Sequence, residues 1–355
     1  MKLQLILFIS IFVLLVNLSY AQSITNVTAK QDGKKITIYY TLTGKEGINE
    51  FTISLFVSTN GGTNWEKITG GLTGDIGEKI NPGNGKIITW DVLANRDKLQ
   101  GDNVSFKVLA AYYEGGVNYT ETKAGVSIEM VYIKGGTFTM GCTSEQSDCE
   151  EDEKPAHSVT LSDYYIGKFE VTQKQWTAIM GNNPSYFKDC GNCPVETVSY
   201  NEIQDFLQKL NQKTGKKYSL PTEAQWEYAA RGGVMTQGLS SHTKYAGSNA
   251  IGDVAWFTVN SGSKTHPVGQ KNANELGIFD MSGNVWEWCS DWYNENYYKT
   301  SPQNNPENTS TGSSRVLRGG RWHGYESYCR VANRYFSNPG GRYDSYGFRL
   351  VLVPD

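Results

Sequence analysis

Hydrophobic and polar positions follow one rhythm in the first third of the chain and another beyond it. Between residues 22 and 124, Ile36, Ile38 and Tyr40 alternate with polar neighbours. Phe51, Ile53, Leu55 and Val57 do the same, as do Phe106, Val108 and Ala110. A period of two marks strands with one buried face. Asn60-Gly61-Gly62 and Pro82-Gly83-Asn84-Gly85 carry turn signals between them. The pattern predicts a small all-β sandwich, with Trp65 and Trp90 filling the space between two sheets.

From about residue 126 to 355 the rhythm changes. Met130-Val131-Tyr132-Ile133 reads as a strand and is followed by Gly135-Gly136. Three helix starts then carry a capping box, a hydroxyl residue with Glu or Gln three positions on. They are Thr172 with Gln175, Ser199 with Glu202, and Thr222 with Gln225. In the second helix Ile203, Phe206, Leu207 and Leu210 fall on one face, and Gly215 is a stop signal. The third carries Trp226, Ala229 and Ala230 and ends at Gly232-Gly233. Beyond Gly233 the chain reads as loops and short strands rich in Trp, Gly and Asn. So much irregular chain in one compact unit needs bracing, by bound metal, disulfides or both.

A length of 355 residues suits two domains, and a net charge of -3 gives no electrostatic reason to bind nucleic acid. Glu150, Glu151, Asp152 and Glu153 form the densest charge run. It reads as a solvated loop, with calcium capture as the alternative. Residues 1–21 have the Lys2, apolar run and small-residue end of a secretory signal peptide, with cleavage after Ala21. No later stretch is apolar enough to cross a membrane. Export implies a periplasmic, cell-surface or secreted protein and an oxidising space, where Cys residues pair. Local closure of Cys142 with Cys149 and of Cys190 with Cys193 is expected, together with a long-range Cys289–Cys329 bridge. Cys190 and Cys193 form a C-x-x-C, for which zinc or redox chemistry is the alternative.

The last thirty-odd residues carry the strongest functional signal. Gly319, Gly320, Trp322, Cys329, Ala332, Arg334, Pro339, Gly347, Phe348 and Arg349 read as framework. The filling between them is Tyr, Ser, Gly, His, Asn, Asp and Arg, the composition of a recognition surface. Tyr supplies amphipathic area at low entropy cost, and Ser, Gly and Asn supply adaptable hydrogen bonds. The candidate ligand-contacting residues are Arg321, His323, Tyr325, Ser327, Tyr328, Asn333, Tyr335, Phe336, Tyr343, Asp344 and Tyr346. A plain surface loop is the competing reading.

Met140-Gly141, Glu170-Val171-Thr172, Leu220-Pro221-Thr222-Glu223-Ala224-Gln225-Trp226-Glu227, Gly283-Asn284-Val285-Trp286-Glu287-Trp288 and Gly347-Phe348-Arg349 occur in that order. Together they resemble the formylglycine-generating enzyme, or sulfatase-modifying factor, family. The resemblance covers roughly residues 126–353. It implies an α+β fold of C-type-lectin-like kind with much irregular structure. The preceding sandwich resembles fibronectin type III or immunoglobulin domains and is expected to act as a spacer or adhesive module.

The resemblance also implies two structural calcium sites. One would use Asp280, Glu287 and the carbonyls of Gly283 and Val285. The other would use Asp253, Asn260 and the carbonyls of Val254 and Gly262. Calcium takes such oxygen donors in flexible geometry. The family's oxidases hold copper(I) between two cysteines, since soft thiolates select that ion. Counting from Gly319-Gly320, the first of these positions falls on Gly324 and the second on Cys329. At best one of the two copper ligands is present, so no catalytic residue is assigned; Cys329 would serve only if the chain were an oxidase. The C-terminal stretch further resembles variable proteins of diversity-generating retroelements, built on the same fold, in which such filling is diversified. The expected function is therefore non-catalytic recognition of a protein or glycan. The alternative is an oxidase acting on cysteine-containing substrates.

Overall fold

A computed structural model of the chain describes residues 23–44, 51–94, 99, 103–111, 118–123, 125–236 and 242–354. The expected signal peptide, residues 1–21, lies outside the described residues. Two compact units divide at Glu114/Gly115.

In the first unit, Ser23–Asp32, Lys35–Thr43, Gly83–Asp91 and Leu72–Gly74 form one antiparallel sheet in that order. Phe51–Ser58 organises the other, pairing with Glu66–Lys67, Gly77–Ile80 and Ser105–Ala111. Of the alternating residues expected to face inward, Ile38 and Leu55 are fully buried in the shared core and Val108 is buried, while Phe106 and Ala110 are only partly buried against it. Trp90 fills that core as expected, but Trp65 does not. Trp65 is only half-buried, beneath the ammonium of Lys107 at 4.6 Å. The expected turn at Pro82–Gly85 is displaced too, because Gly83 already pairs with Leu42 as strand.

The second unit begins earlier than the sequence rhythm suggests. Tyr119–Glu121, placed by pattern in the sandwich, pairs instead with Ile128–Ile133 of the second unit. Its chain is secured by Tyr218, whose hydroxyl meets the Tyr119 hydroxyl (2.9 Å) and donates to the Glu121 carboxylate (3.1 Å). All three capping boxes form, opening α1 (Gln173–Met180), α2 (Tyr200–Thr214) and α3 (Glu223–Ala230). Helix α2 ends at Gly215 with φ +73°, a left-handed cap that glycine adopts without strain. Its apolar face enters a core where Trp176 of α1 stacks on Phe206 at 5.2 Å and Phe348 meets Phe206 edge-on at 5.4 Å. A short α4 (Ile251–Val254) follows in a long stretch of irregular chain. Beyond it, Trp286–Trp292 joins Arg315–Arg318 and then Tyr335–Ser337 on one side, and Tyr346–Gly347 on the other. That sheet carries the candidate site. The unit is mixed α+β.

Candidate functional site: an aromatic surface on an arginine frame

Buried ion pairs fasten the C-terminal segment to α3. Glu223 and Glu227 lie one helical turn apart, so both face the same way. Arg318 donates to Glu223 (3.1 Å) and Glu227 (2.5 Å), and also to the carbonyls of Val331 and Ala332. Arg334 donates to both oxygens of Glu223, at 2.7 and 2.9 Å. Arg330 straddles Glu153 at 2.6 and 2.7 Å. Arg349, of the closing Gly-Phe-Arg, straddles Glu287, which also accepts from Trp226 Nε1. All these side chains are buried. Burial pushes the Glu223 carboxyl up, but Arg334 and Arg318 outweigh it and hold it below the usual range. Planar guanidinium–carboxylate forks of this kind set position as well as charge.

Glu153 corrects an expectation. The acidic run is not simply a solvated loop: Glu153 has no exposed surface, because Arg330 and Asn333 reach it from the C-terminal segment.

Above this frame the filling residues make a surface. Ring contacts run from Tyr325 to Tyr328 (6.1 Å), on to Trp286 (6.2 Å), to Tyr335 (5.0 Å), to Phe336 (6.0 Å) and to Tyr293 (4.1 Å). Tyr325 is 70% exposed and Tyr343 54%; Tyr335 and Phe336 are also exposed. Arg321, His323, Ser327, Tyr328 and Asp344 are half-buried around them. Asn333 and Tyr346 do not belong to this surface. Asn333 is turned inward to Glu153, and Tyr346 is packed in the core against Trp288 at 5.5 Å. Each stands beside a framework residue, Ala332 and Arg334 or Gly347, and composition alone does not reveal which way its side chain faces.

Two other loops join the surface, and the sequence pattern missed both. Tyr186, 69% exposed, adjoins Phe187, which meets Trp322 edge-on at 5.4 Å. Val259 is 79% exposed, and the neighbouring Thr258 N–H donates to the Gly324 carbonyl at 3.1 Å. The signal available for both was a large apolar side chain in an otherwise polar loop. Rings as exposed as Tyr325 and Tyr186 offer contact area to a macromolecule rather than enclosure to a small ligand.

The cysteines behave as expected locally and not at long range. Cys142–Cys149 and Cys190–Cys193 are disulfides. Cys289 and Cys329 are not bridged; both are buried free thiols. Cys329 packs in a small cluster with Tyr245, Val254 and Phe257, whereas Cys289 sits by Glu223 and Asp291. Their side chains therefore serve different parts of the interior. Burial pushes the Cys329 thiol up to about 12, against the N–H groups of Arg321 and Gly283.

The two expected calcium sets differ. At the first, the carboxylates of Glu170, Asp280 and Glu287 gather near the one guanidinium of Arg349. Burial pushes Asp280 up to about 6, although the Gly269 N–H and Arg349 pull the other way. Burial, with Asp280 and Glu287 adding to it, holds Glu170 well above the carboxylate range. The excess of negative charge fits a cation, but Glu287 commits both oxygens to Arg349 and one also to Trp226. The second set is a self-bonded loop. Asn260 turns both ends of its amide to Ala255 and Phe257, while Asp253 is exposed and accepts from Ser248. Among the described residues, no group of three or more His, Cys, Asp or Glu side chains stands in metal-binding geometry.

The comparisons with known proteins agree with this architecture. Residues 118–353 match the sulfatase-modifying factor enzyme 1-like domain. The chaperone protein LppX of Paenibacillus barcinonensis is 36% identical over 300 residues, covering 70% of this chain and 95% of that protein. The formylglycine-generating enzyme of Streptomyces coelicolor is 37% identical over 286 residues, covering 63% and 89%. Among solved structures, Treponema denticola variable protein 1 superposes with a TM-score of 0.60 at 33% identity, covering 68% of this chain and all of that one. From residue 118 to 353, the chain belongs to the family of the sulfatase-modifying factor enzyme 1-like domain.

Proposed function

We propose that this chain is an exported, non-catalytic binding protein that recognises a macromolecular partner, a protein or a glycan, through the aromatic surface of its second unit. One observation carries the reading: exposed Tyr and Phe rings sit directly on a frame of buried ion pairs. A rigid frame under a changeable aromatic surface lowers the entropy lost when a partner docks. The likeness to a variable protein and to a chaperone supports binding over chemistry. Gly324, where the family's first copper ligand would stand, offers no side chain. Two disulfides suit an oxidising compartment, in keeping with export. Among the described residues no helix is long and apolar enough to cross a membrane. If the segment is diversified, the variation belongs at exposed positions such as Tyr325, Tyr335 and Tyr343, not at Asn333 or Tyr346.

The test pairs a glycan array with an extract of extracellular proteins as probes. Tyr325→Ala and Tyr343→Ala are each expected to weaken capture at least about tenfold, as truncated aromatic anchors do, with an unchanged melting temperature. Unaltered capture by both variants would remove the proposed surface. Copper(I) held tightly by the protein, with conversion of a cysteine peptide, would restore the oxidase reading.

Calcium is proposed at the first set alone, Asp280 and Glu287 with the carbonyls of Gly283 and Val285, as a brace that takes an oxygen of Glu287 from Arg349. Calcium at about a hundred times its dissociation constant would stabilise the unit by about 2.7 kcal/mol. Chelation is then expected to lower its melting temperature by about 5–10 °C. An identical transition with calcium and with chelator would exclude the site.

A further inference from the structure

Besides α3, a second support of the recognition segment comes from one short stretch far away in sequence, residues 141–153, and a disulfide closes it. Cys142 N–H donates to the Glu153 carbonyl at 2.9 Å, which ties the two ends of the stretch together. Inside it, Cys142 is bonded to Cys149. Four groups then reach the C-terminal segment. The Asp148 carbonyl accepts from Arg330 at 3.2 Å, and Cys149 Sγ lies 4.0 Å from the same guanidinium. The Glu153 carboxylate takes Arg330 and Asn333. The Asp152 carbonyl accepts from Arg334 at 2.8 Å. The Asp152 carboxylate also accepts from the Tyr293 hydroxyl at 2.8 Å, and the Tyr293 ring is the one on which Phe336 stacks.

We infer that Cys142–Cys149 is a clasp that positions the aromatic surface, so that opening it disorders the recognition segment while the core of the unit stays folded. The inference rests on the recognition reading only for its functional consequence; the coupling itself is a property of the chain. Asp148 shows why the bond matters to the clasp. It adopts φ +56°, a left-handed turn conformation that Asp tolerates and that turns its carbonyl toward Arg330. The disulfide at the next residue is the covalent tie that keeps this turn in place. With the loop released, the Asp148 carbonyl is free to swing away from Arg330. Glu153 and Asp152 are then tied by fewer anchors, and Tyr325, Tyr335 and Phe336 lose their common support. Cys142 and Cys149 are both partly exposed, so a dithiol reductant can reach them. The exchange is balanced. The dithiol loses two electrons and two protons and closes to its own disulfide, while the Cys142–Cys149 bond breaks to give two thiols. Cys190–Cys193 is the internal control, because its loop lies by Gln173 and Lys174 of α1 and touches none of these residues.

Hydrogen exchange read by mass spectrometry tests this without any partner. The full oxidised chain is titrated with dithiothreitol, and the fraction of each disulfide opened is read by alkylation. Peptides within 325–337 are expected to lose protection at least tenfold in step with Cys142–Cys149, while peptides across Trp286–Trp292 keep theirs. The paired Cys142→Ser and Cys149→Ser variant should match the reduced protein, and the Cys190→Ser and Cys193→Ser pair should match the oxidised one. Three results would overturn the clasp: full protection of 325–337 with Cys142–Cys149 open, simultaneous loss across Trp286–Trp292, or equal loss on opening Cys190–Cys193. Failure of the glycan and protein probes to bind would sink the recognition reading and leave this result standing.

Discussion

Glu223→Ala is expected to destabilise the second unit by about 3–5 kcal/mol, the cost of leaving buried charge unpaired. Glu223 is the shared carboxylate of two buried guanidiniums. Without it, Arg318 keeps Glu227, but Arg334 is left with the carbonyls of Asp152 and Asn294. Neither guanidinium can shed its charge, because arginine does not deprotonate in proteins. Water must follow it inward, or the segment must lift. The measurement is urea unfolding of the whole chain, with the sandwich as internal reference, since it has its own core. The sandwich transition should not move. Replacing Glu223 and Arg334 together by apolar residues should cost less than the two single losses summed, because the pair shares its desolvation. A loss under about 1 kcal/mol for Glu223→Ala would mean that the network is decorative.

Trp286→Ala should harm stability and binding together. The indole is 1% exposed, within the main core of the second unit. Removing such a ring leaves a cavity and costs about 3–5 kcal/mol. Its outer face also stacks on Tyr335, nearly parallel at 5.0 Å, and abuts Tyr328. With the indole gone, those two rings lose the support that ties them into one surface. Tyr335→Ala is the comparison: it removes a partly exposed ring and should shift stability by less than about 1 kcal/mol while still weakening capture. If Trp286→Ala unfolds no more readily than Tyr335→Ala, the stack is not the junction between core and surface.

Local signals in the sequence were legible wherever a periodic element repeats them. Each capping box opened a helix because a side-chain oxygen and the N–H three residues on meet through neighbouring backbone alone. Alternation found Ile38, Leu55 and Val108 because a strand sends every second side chain inward. The Cys142–Cys149 and Cys190–Cys193 bridges were legible because so few residues separate the partners. Aperiodic chain gave no such guide. Tyr325 and Tyr346 look alike in sequence, yet one stands in solvent and the other packs on Trp288. Trp65, in the loop just before Glu66–Lys67, gave no such guide either, whereas Trp90 lies within a strand.

The sequence by itself determined which elements form, that the second unit carries the family's motifs, and that its C-terminal filling has the composition of a recognition surface. Only the tertiary structure decided which of those residues face outward, that Tyr186 and Val259 join them, and that Cys289 and Cys329 stay apart. It also decided that Glu153, in a run of charges that reads as solvated, lies in the interior. The physical reason is one of range. Caps and alternation are settled within a few residues, whereas the burial of Glu153 depends on Arg330, 177 residues further along the chain. A local pattern carries no record of a partner that distant.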